Sequence, residues 1–430
     1  MTVTNNDCDR PGLKPLETAL AELEQARPQN VLPLATEQVA ISSGLDRVLA
    51  EDVASPSQIP NYDNSAMDGY AYCDASWDGN SPLKVVGTAL AGNAYSQQVP
   101  SGNCVRIMTG AQLPQGCDTV VIQENVALND SKQLRINHRP QLGANIRSAG
   151  SDVERGQQVF TQGLRLSGVH IGMLATLGVS HVAVYRKLKV AVFSTGDELR
   201  LPGTELPQGC VYDSNRLMIT TLLQRLNLEV IDLGIIADNP AAIEQAFKQA
   251  AVQADAVISS GGVSVGDADF TRDILQRLGD IAFYKLAIKP GKPFAFGYLH
   301  NQTSTPDANN RKNATAFFGL PGNPVSSAVT FHQLALPKLR QMSGEAFPQP
   351  LRLQVPSASA FKKRPGRTDF QRGLLTNHNG TLEVHSTGNQ GSAIFSSMVA
   401  GNCYVVLEQD RGNVSAGEIV TVEPFDRWIS

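Results

Sequence analysis

Asp197 and Glu198 stand side by side in Thr195-Gly196-Asp197-Glu198, directly after the apolar run Leu188–Phe193. Adjacent carboxylates in such a loop can hold Mg²⁺, which takes oxygen ligands and bridges to substrate phosphates. Gly196 lets the backbone come close to a ligand, and exposed N–H groups at a helix start favour anions. Two more loops of similar make follow apolar runs: Ser260-Gly261-Gly262-Val263-Ser264-Val265-Gly266-Asp267, with Asp269 just beyond, and Gly319-Leu320-Pro321-Gly322-Asn323-Pro324-Val325-Ser326-Ser327. The first is neither GxGxxG nor a P-loop, which ends in Gly-Lys-Ser/Thr, so the dehydrogenase and nucleotide-hydrolase readings weaken. In the second, two prolines and two glycines specify a fixed loop, and Ser326 and Ser327 offer hydroxyls in the first helical turn. Lys285, Lys289 and Lys292 flank a strand-to-turn transition. Strand alternation predicts Lys285, Ala287 and Lys289 on one face, and lysine is the usual point charge for phosphate or another oxyanion. Each piece alone has a plainer reading, as a capped turn or a solvated face. Together they predict a site for an anionic, phosphate-bearing molecule.

The elements that must position these loops alternate. Strands are predicted at Leu188–Phe193, Leu228–Ile236, Ala256–Ser259, Ile281–Ile288 and Ala314–Phe318. Helices are predicted at Asn215–Leu226, capped by Ser214 or Asn215, at Pro240–Gln253, at Asp269–Leu278 and at Val325–Met342, where Pro337 should kink or shorten the last. That alternation implies a parallel sheet with right-handed crossovers, and loops at the carboxyl ends of its strands converge on one crevice. Residues 300–313 read as an exposed hairpin loop. Short β runs such as Leu83–Val86, Asn103–Thr109 and Thr119–Val126 predict a small β domain before this unit, and runs from Leu351 to Val422 predict another after it. Helical signals at Leu16–Ala26 and Leu166–Leu177 flank the first β region; packing of the two helices would make the opening domain discontinuous.

With 430 residues, two to four domains are expected. A formal net charge of −4 argues against non-specific nucleic-acid binding. Met1–Leu16 is polar, predicting no secretory leader, and no apolar run approaches a bilayer span. The cysteines at 8, 73, 104, 117, 210 and 403 show no CxxC or zinc spacing, which fits a cytoplasmic protein with reduced thiols.

SAMDGYA at 65–71, RIMTGA at 106–111, the turn from Asn145-Ile146-Arg147 to Asp152, FSTGDEL at 193–199, SGGVSVGDADF at 260–270, KLAIKPGKPFAFG at 285–297, GLPGNPVSS at 319–327 and Gly366-Arg367-Thr368-Asp369-Phe370 follow one another across nearly the whole chain. The set resembles the molybdopterin molybdenumtransferase family, MoeA and the E domain of gephyrin. The resemblance implies an α/β and β multidomain fold. Its parts are a discontinuous elongated domain (1–60 and 145–186), an inserted β domain (61–144), a doubly wound molybdopterin-binding α/β domain (187–342) and a C-terminal β domain (343–430). It implies Mg²⁺-assisted insertion of molybdate into adenylylated molybdopterin with release of AMP, by a homodimer. Asp197, Glu198 and Asp269 would hold Mg²⁺ or position water, with Asp238 as a fourth acid. Lys285 and Lys289 would attract molybdate and phosphate. Gly261, Gly262, Gly319 and Gly322 would let N–H groups reach the pterin phosphate, beside Thr195, Gly196, Ser264, Pro321, Asn323, Pro324 and Ser326. Asp68 and Thr109 would complete the cleft from the partner subunit, and Asp152 would line it from the hinge region. Further partners implied are the adenylyltransferase of the preceding step and molybdoenzyme acceptors. Rival readings are that adenylyltransferase itself, a non-catalytic scaffold that binds a peptide, and a damaged-nucleotide hydrolase. The inserted MDGYA domain and the C-terminal β domain argue against the first.

Overall fold

The computed structural model describes residues 12–26, 34–261, 270–300, 314–346 and 350–425. They fall into two compact units, one of residues 1–37, 46–50 and 183–430, the other of 38–45 and 51–182.

The larger unit is built on a six-stranded sheet: β1 (Lys189–Thr195), β2 (Glu229–Ile236), β3 (Ala256–Ser260), β4 (Gly279–Lys285), β5 (Pro293–His300) and β6 (Ala314–Leu320), in the order β2-β1-β3-β6-β5-β4. The first four in that order run parallel. The expectation of a parallel sheet needs correction at its edge, where β5 pairs antiparallel with β6 and β4 antiparallel with β5. The reason is topological: β4 and β5 lie seven residues apart, too few for the crossover that parallel strands require.

Both faces of the sheet are covered, as a doubly wound fold demands. Helix α1 (Leu16–Gln25) buries Leu16, Ala19 and Leu23 in the same cluster as Val190, Ile258, Phe318 and Leu286. Its apolar face is thus committed to the central core. Helix α2 (Ser214–Arg225) shares that core through Ile219 and Leu223. Helices α3 (Pro240–Gln253) and α4 (Phe270–Leu278) cover the other face, where Phe247 lies between Phe193 and Phe317 with ring centroids 5.3 and 5.4 Å away. Helix α5 (Pro324–Thr330) passes through a π-helical turn, Phe331–Ala335, into α6 (Leu336–Met342). Pro337 therefore lies inside a continuous helical run, directly after the π-helical turn. The wider turn before it accommodates the proline, and the helical segment continues to Met342.

The C-terminal sheet contains Leu353–Pro356, Thr368–His378, Thr381–Ser386, Cys403–Leu407 and Ile419–Pro424. It also recruits the two-residue strand Ile288–Lys289, parallel to Thr368–Asp369. The predicted strand Ile281–Ile288 is thus two pieces in two sheets. Lys285 ends β4, whereas Lys289 belongs to the next sheet, so the predicted common face for Lys285, Ala287 and Lys289 is not formed.

The smaller unit holds a six-stranded sheet with Gly69–Tyr72 paired between Asn103–Ile107 and Thr119–Ile122. Asn64–Ser65 pairs with Ile146–Arg147, and Val53–Ala54 with Gln158–Phe160, so segments before and after the sheet close on each other. Helix Gly168–Thr176 ends at Gly178, whose φ of +77° is the left-handed cap conformation glycine tolerates.

Candidate active site

Three neighbouring strands of the larger unit, β1, β3 and β6, end at the same edge of the sheet, and their loops meet there. Thr195 and Gly196 are buried, while Asp197 and Glu198 are exposed. Gly196 has φ +146°, and a Cβ on it would fall 2.5 Å from a Glu198 carboxylate oxygen. The carboxylate folds over the glycine, in the space a side chain would fill. Gly261 has φ +87°, and a Cβ there would lie 2.8 Å from the Thr195 carbonyl oxygen. Its N–H donates to the Leu320 carbonyl at 3.2 Å, joining the second loop to the third. Asp238 enters from the end of β2, its N–H donating to Asp197 Oδ1 at 3.2 Å.

In the third loop Pro321 is buried, while Gly322 and Asn323 are exposed. A Cβ on Gly322 would meet nothing within 4 Å, so the space before it is open. Gly319 is a β6 residue between Ser259 and Ala295. Pro324 opens α5, Ser326 is buried beneath it, and Asn323 Nδ2 reaches Ser392 Oγ at 3.2 Å in the C-terminal domain.

The side chains that fasten these loops lie at the start of α2, and the glycine patterns do not point to them. Asp213, and neither Ser214 nor Asn215, is the N-cap, accepting from the Arg216 N–H at 3.3 Å. Asp213 is almost fully buried; its other contacts are Ser194 Oγ at 2.9 Å and Arg216 Nε at 2.7 Å. Arg216 also pairs with Asp232. Asn215 Nδ2 donates to Ser260 Oγ at 2.9 Å and to the Gly322 carbonyl at 2.7 Å. The Val211 N–H donates to the Glu198 carbonyl at 3.0 Å. One short segment, 211–216, therefore holds all three loops. The signal in the sequence is Asp213 followed three residues later by Arg216 at a helix start.

Lys285 is exposed at the same edge of the sheet, two strands beyond β6 and so about 10 Å along it. Lys289 is half-exposed, and its Nζ is 3.3 Å from Asp369 Oδ2. Burial pushes the Asp369 carboxyl up from its ordinary value, against the pull of Lys289 and Lys363. Gly262, Ser264 and Asp269 lie outside the described residues.

In the smaller unit, Asp68 accepts from the Thr109 N–H at 2.8 Å and the Thr109 hydroxyl at 2.7 Å. Those two donors, the backbone one first, hold its carboxyl below the ordinary value of 3.8. Asp152 is exposed, and its N–H donates to the Ile59 carbonyl at 3.0 Å. No helix among the described residues is long and apolar enough to cross a membrane.

Residues 14–178 match the MoeA N-terminal region (domain I and II), 191–341 a probable molybdopterin binding domain, and 354–425 the MoeA C-terminal region (domain IV). The chain is 46% identical over 413 residues to a molybdopterin molybdenumtransferase of Haemophilus influenzae, covering 95% of this chain and 99% of that protein. A second relative of the same name, from Nostoc, is 34% identical, with 90% and 88% covered. The crystal structure of a molybdopterin biosynthesis MoeA protein from Pyrococcus horikoshii superposes with a TM-score of 0.79 at 26% identity, covering 96% of this chain and all of that one. By domain content, by identity along nearly its whole length and by fold, the chain belongs to the molybdopterin molybdenumtransferase family and is an enzyme of that type.

Proposed function

We propose that the protein binds adenylylated molybdopterin and molybdate, cleaves the phosphoanhydride with release of AMP, and places molybdenum on the dithiolene sulfurs in a Mg²⁺-dependent reaction. The observation that carries this reading is the junction of the acidic Thr195–Glu198 loop with Gly261 and the Gly319–Asn323 loop, all fastened by residues 211–216. Exposed carboxylates on one loop and open backbone on a neighbouring one suit a substrate with a phosphoanhydride.

The donor set fits Mg²⁺. Asp197 and Glu198 are exposed oxygen donors, and neither forms an ion pair with a described residue. Among the described residues no three His, Cys, Asp or Glu side chains are grouped to hold a metal. The fit is therefore to an ion that takes one or two carboxylates and completes its shell with water and phosphate. Asp197 and Glu198 would hold it, with Asp269 and Asp238 as further acids. When bound, Mg²⁺ supplies charge neutralisation on the phosphates and on the departing AMP. The chain's own part is positional: Gly196 and Gly261 keep the backbone close, the Gly322–Asn323 segment faces open space, and Lys285 and Lys289 add positive charge for molybdate and phosphate. No side chain in these loops is assigned as a covalent nucleophile.

The same proposal includes a homodimer in which Asp68 and Thr109 of one subunit complete the site of the other, with Asp152 along its wall. It includes a cytoplasmic setting, supported by free thiols at 73, 104, 117, 210 and 403. It also includes exchange with the preceding adenylyltransferase and with molybdoenzyme acceptors. The test is incubation with adenylylated molybdopterin, Mg²⁺ and molybdate, following AMP and protein-bound molybdenum together. AMP appearing in step with metal uptake supports the assignment; ATP consumption in place of AMP release would point to the adenylyltransferase step instead.

A further inference from the structure

We infer that Asn215 is a positioning residue that aims the Asn323 N–H at a phosphate oxygen of the substrate; the inference rests on the reaction proposed above. Asn215 is 8% exposed, and its Nδ2 spends both hydrogens inside the protein, on Ser260 Oγ and on the Gly322 carbonyl. Its Oδ1 is buried without a partner among the described residues. Those two bonds tie the head of α2 to the end of β3 and to the third loop.

What they hold is a peptide plane. The Gly322–Asn323 bond is trans, since the cis bonds among the described residues are Ile59–Pro60 and Lys289–Pro290. In a planar trans peptide the C=O and the following N–H point in opposite directions. The 2.7 Å bond draws the Gly322 carbonyl toward α2, and the Asn323 N–H therefore points away from it. Both residues are exposed, and no hydrogen bond from the Asn323 N–H to a described residue is found. A Cβ at 322 would meet nothing within 4 Å, so an anion has room to approach. A donor fixed before the ligand arrives needs no reorganisation when the ligand binds. The same amide, through Ser260, ties this plane to the end of β3 beside Gly261.

Asn215→Asp keeps the size and replaces both donor hydrogens by an acceptor, which sets a carboxylate against the Gly322 carbonyl and turns the plane. We expect N215D to weaken binding of adenylylated molybdopterin and of inorganic pyrophosphate about ten- to a hundredfold, the worth of one hydrogen bond to a charged group. KM should rise by a similar factor, with kcat at saturation held. Ser260→Ala, which removes the other arm of the clamp and keeps the bond to Gly322, should weaken affinity less than N215D does on the same scale. A second measurement needs no variant: in wild-type protein carrying ¹⁵N-asparagine, the Asn323 amide resonance should move downfield as pyrophosphate is added. Unchanged affinity of folded N215D for both anions, or an Asn323 resonance that stays fixed at saturating pyrophosphate, overturns the inference. Wild-type protein that binds neither anion overturns the proposed reaction as well, and so separates the two failures.

Discussion

Lys289 Nζ stands 3.3 Å from the carboxylate of Asp369, joining a turn that leaves the central sheet to a strand of the C-terminal sheet. Asp369 is 1% exposed and Lys289 half-exposed, so the cation sits at the mouth of a buried acid. Burial raises the Asp369 carboxyl above its ordinary 3.8, with Lys289 the first of the forces opposing that rise. The sign follows. A carboxyl with a raised pKa in the fold adds stability below its unfolded pKa and loses it as pH climbs through the folded one. Lys289→Ala should raise the carboxyl further and destabilise the protein at pH 7 by about 1 kcal/mol, the small figure reflecting solvent at the lysine. The deficit should shrink as pH falls toward the range where Asp369 is protonated. Urea unfolding of both proteins from pH 4 to pH 7 reads this; a deficit independent of pH would show that the pair is not coupled as described.

Lys289, Asp369 and the alternation around residue 287 are all visible in the chain, but alternation presumes one unbroken strand. The run breaks at Leu286–Ala287, which both bury completely, and resumes in another sheet. The strands and helices of the central domain were legible because each carries apolar periodicity and a punctuating Gly, Pro or cap. Gly196, Gly261, Pro321 and Gly322 were legible for the same reason: they mark where the backbone bends. The network of Asp213, Asn215 and Arg216 was not, beyond the i, i+3 spacing of Asp213 and Arg216, because buried polar contacts follow no period. Asp213 and Asn215 are chosen by partners that lie 19, 45 and 107 residues away.

Thr109 supplies two donors to Asp68, one from the backbone and one from the hydroxyl. Thr109→Ala removes the second and leaves the first. The Asp68 carboxyl, depressed in the native protein, should move part of the way back toward 3.8. A depressed folded pKa means that the associated stability is present above the unfolded value and is lost as pH falls through the folded one. The acid limb of unfolding should therefore start at slightly higher pH in the variant. A ¹³C titration of the Asp68 carboxyl checks the shift directly; an unmoved curve would mean that the backbone donor alone sets it.

Glu198 lies exposed over Gly196, so Glu198→Gln should fold like the native protein and change only its chemistry. On the proposed reading it loses a charged oxygen donor for Mg²⁺. The Mg²⁺ concentration giving half-maximal AMP release should rise about tenfold or more, and saturating Mg²⁺ should restore part of the rate. A Mg²⁺ dependence identical to that of the native enzyme would remove Glu198 from the metal's ligands.

The proposed sharing of one site between two subunits makes a complementation experiment decisive. Asp68→Ala and Glu198→Ala proteins should each lose molybdate-dependent AMP release. Unfolded together and refolded, they should recover part of it, because a heterodimer keeps one site with neither substitution. A heterodimer verified by mass that stays as inactive as its parents would place both residues in the same subunit's site.

Arg216 offers a stability test tied to the acidic loop. Its guanidinium and the Asp213 carboxylate are 2.7 Å apart with side chains 5% and 1% exposed, and Asp213 also accepts from Ser194, the residue before Thr195. Replacing one member of a buried pair strands the other charge, at a cost of about 3–5 kcal/mol. Arg216→Met should reach that range in urea unfolding at pH 7. Asp213→Asn added to it should return much of the loss, since a neutral amide needs no counter-charge and can still accept from Ser194. Additive losses in the double variant would mean that the two side chains act independently, and the network at the head of α2 would then be two unrelated contacts.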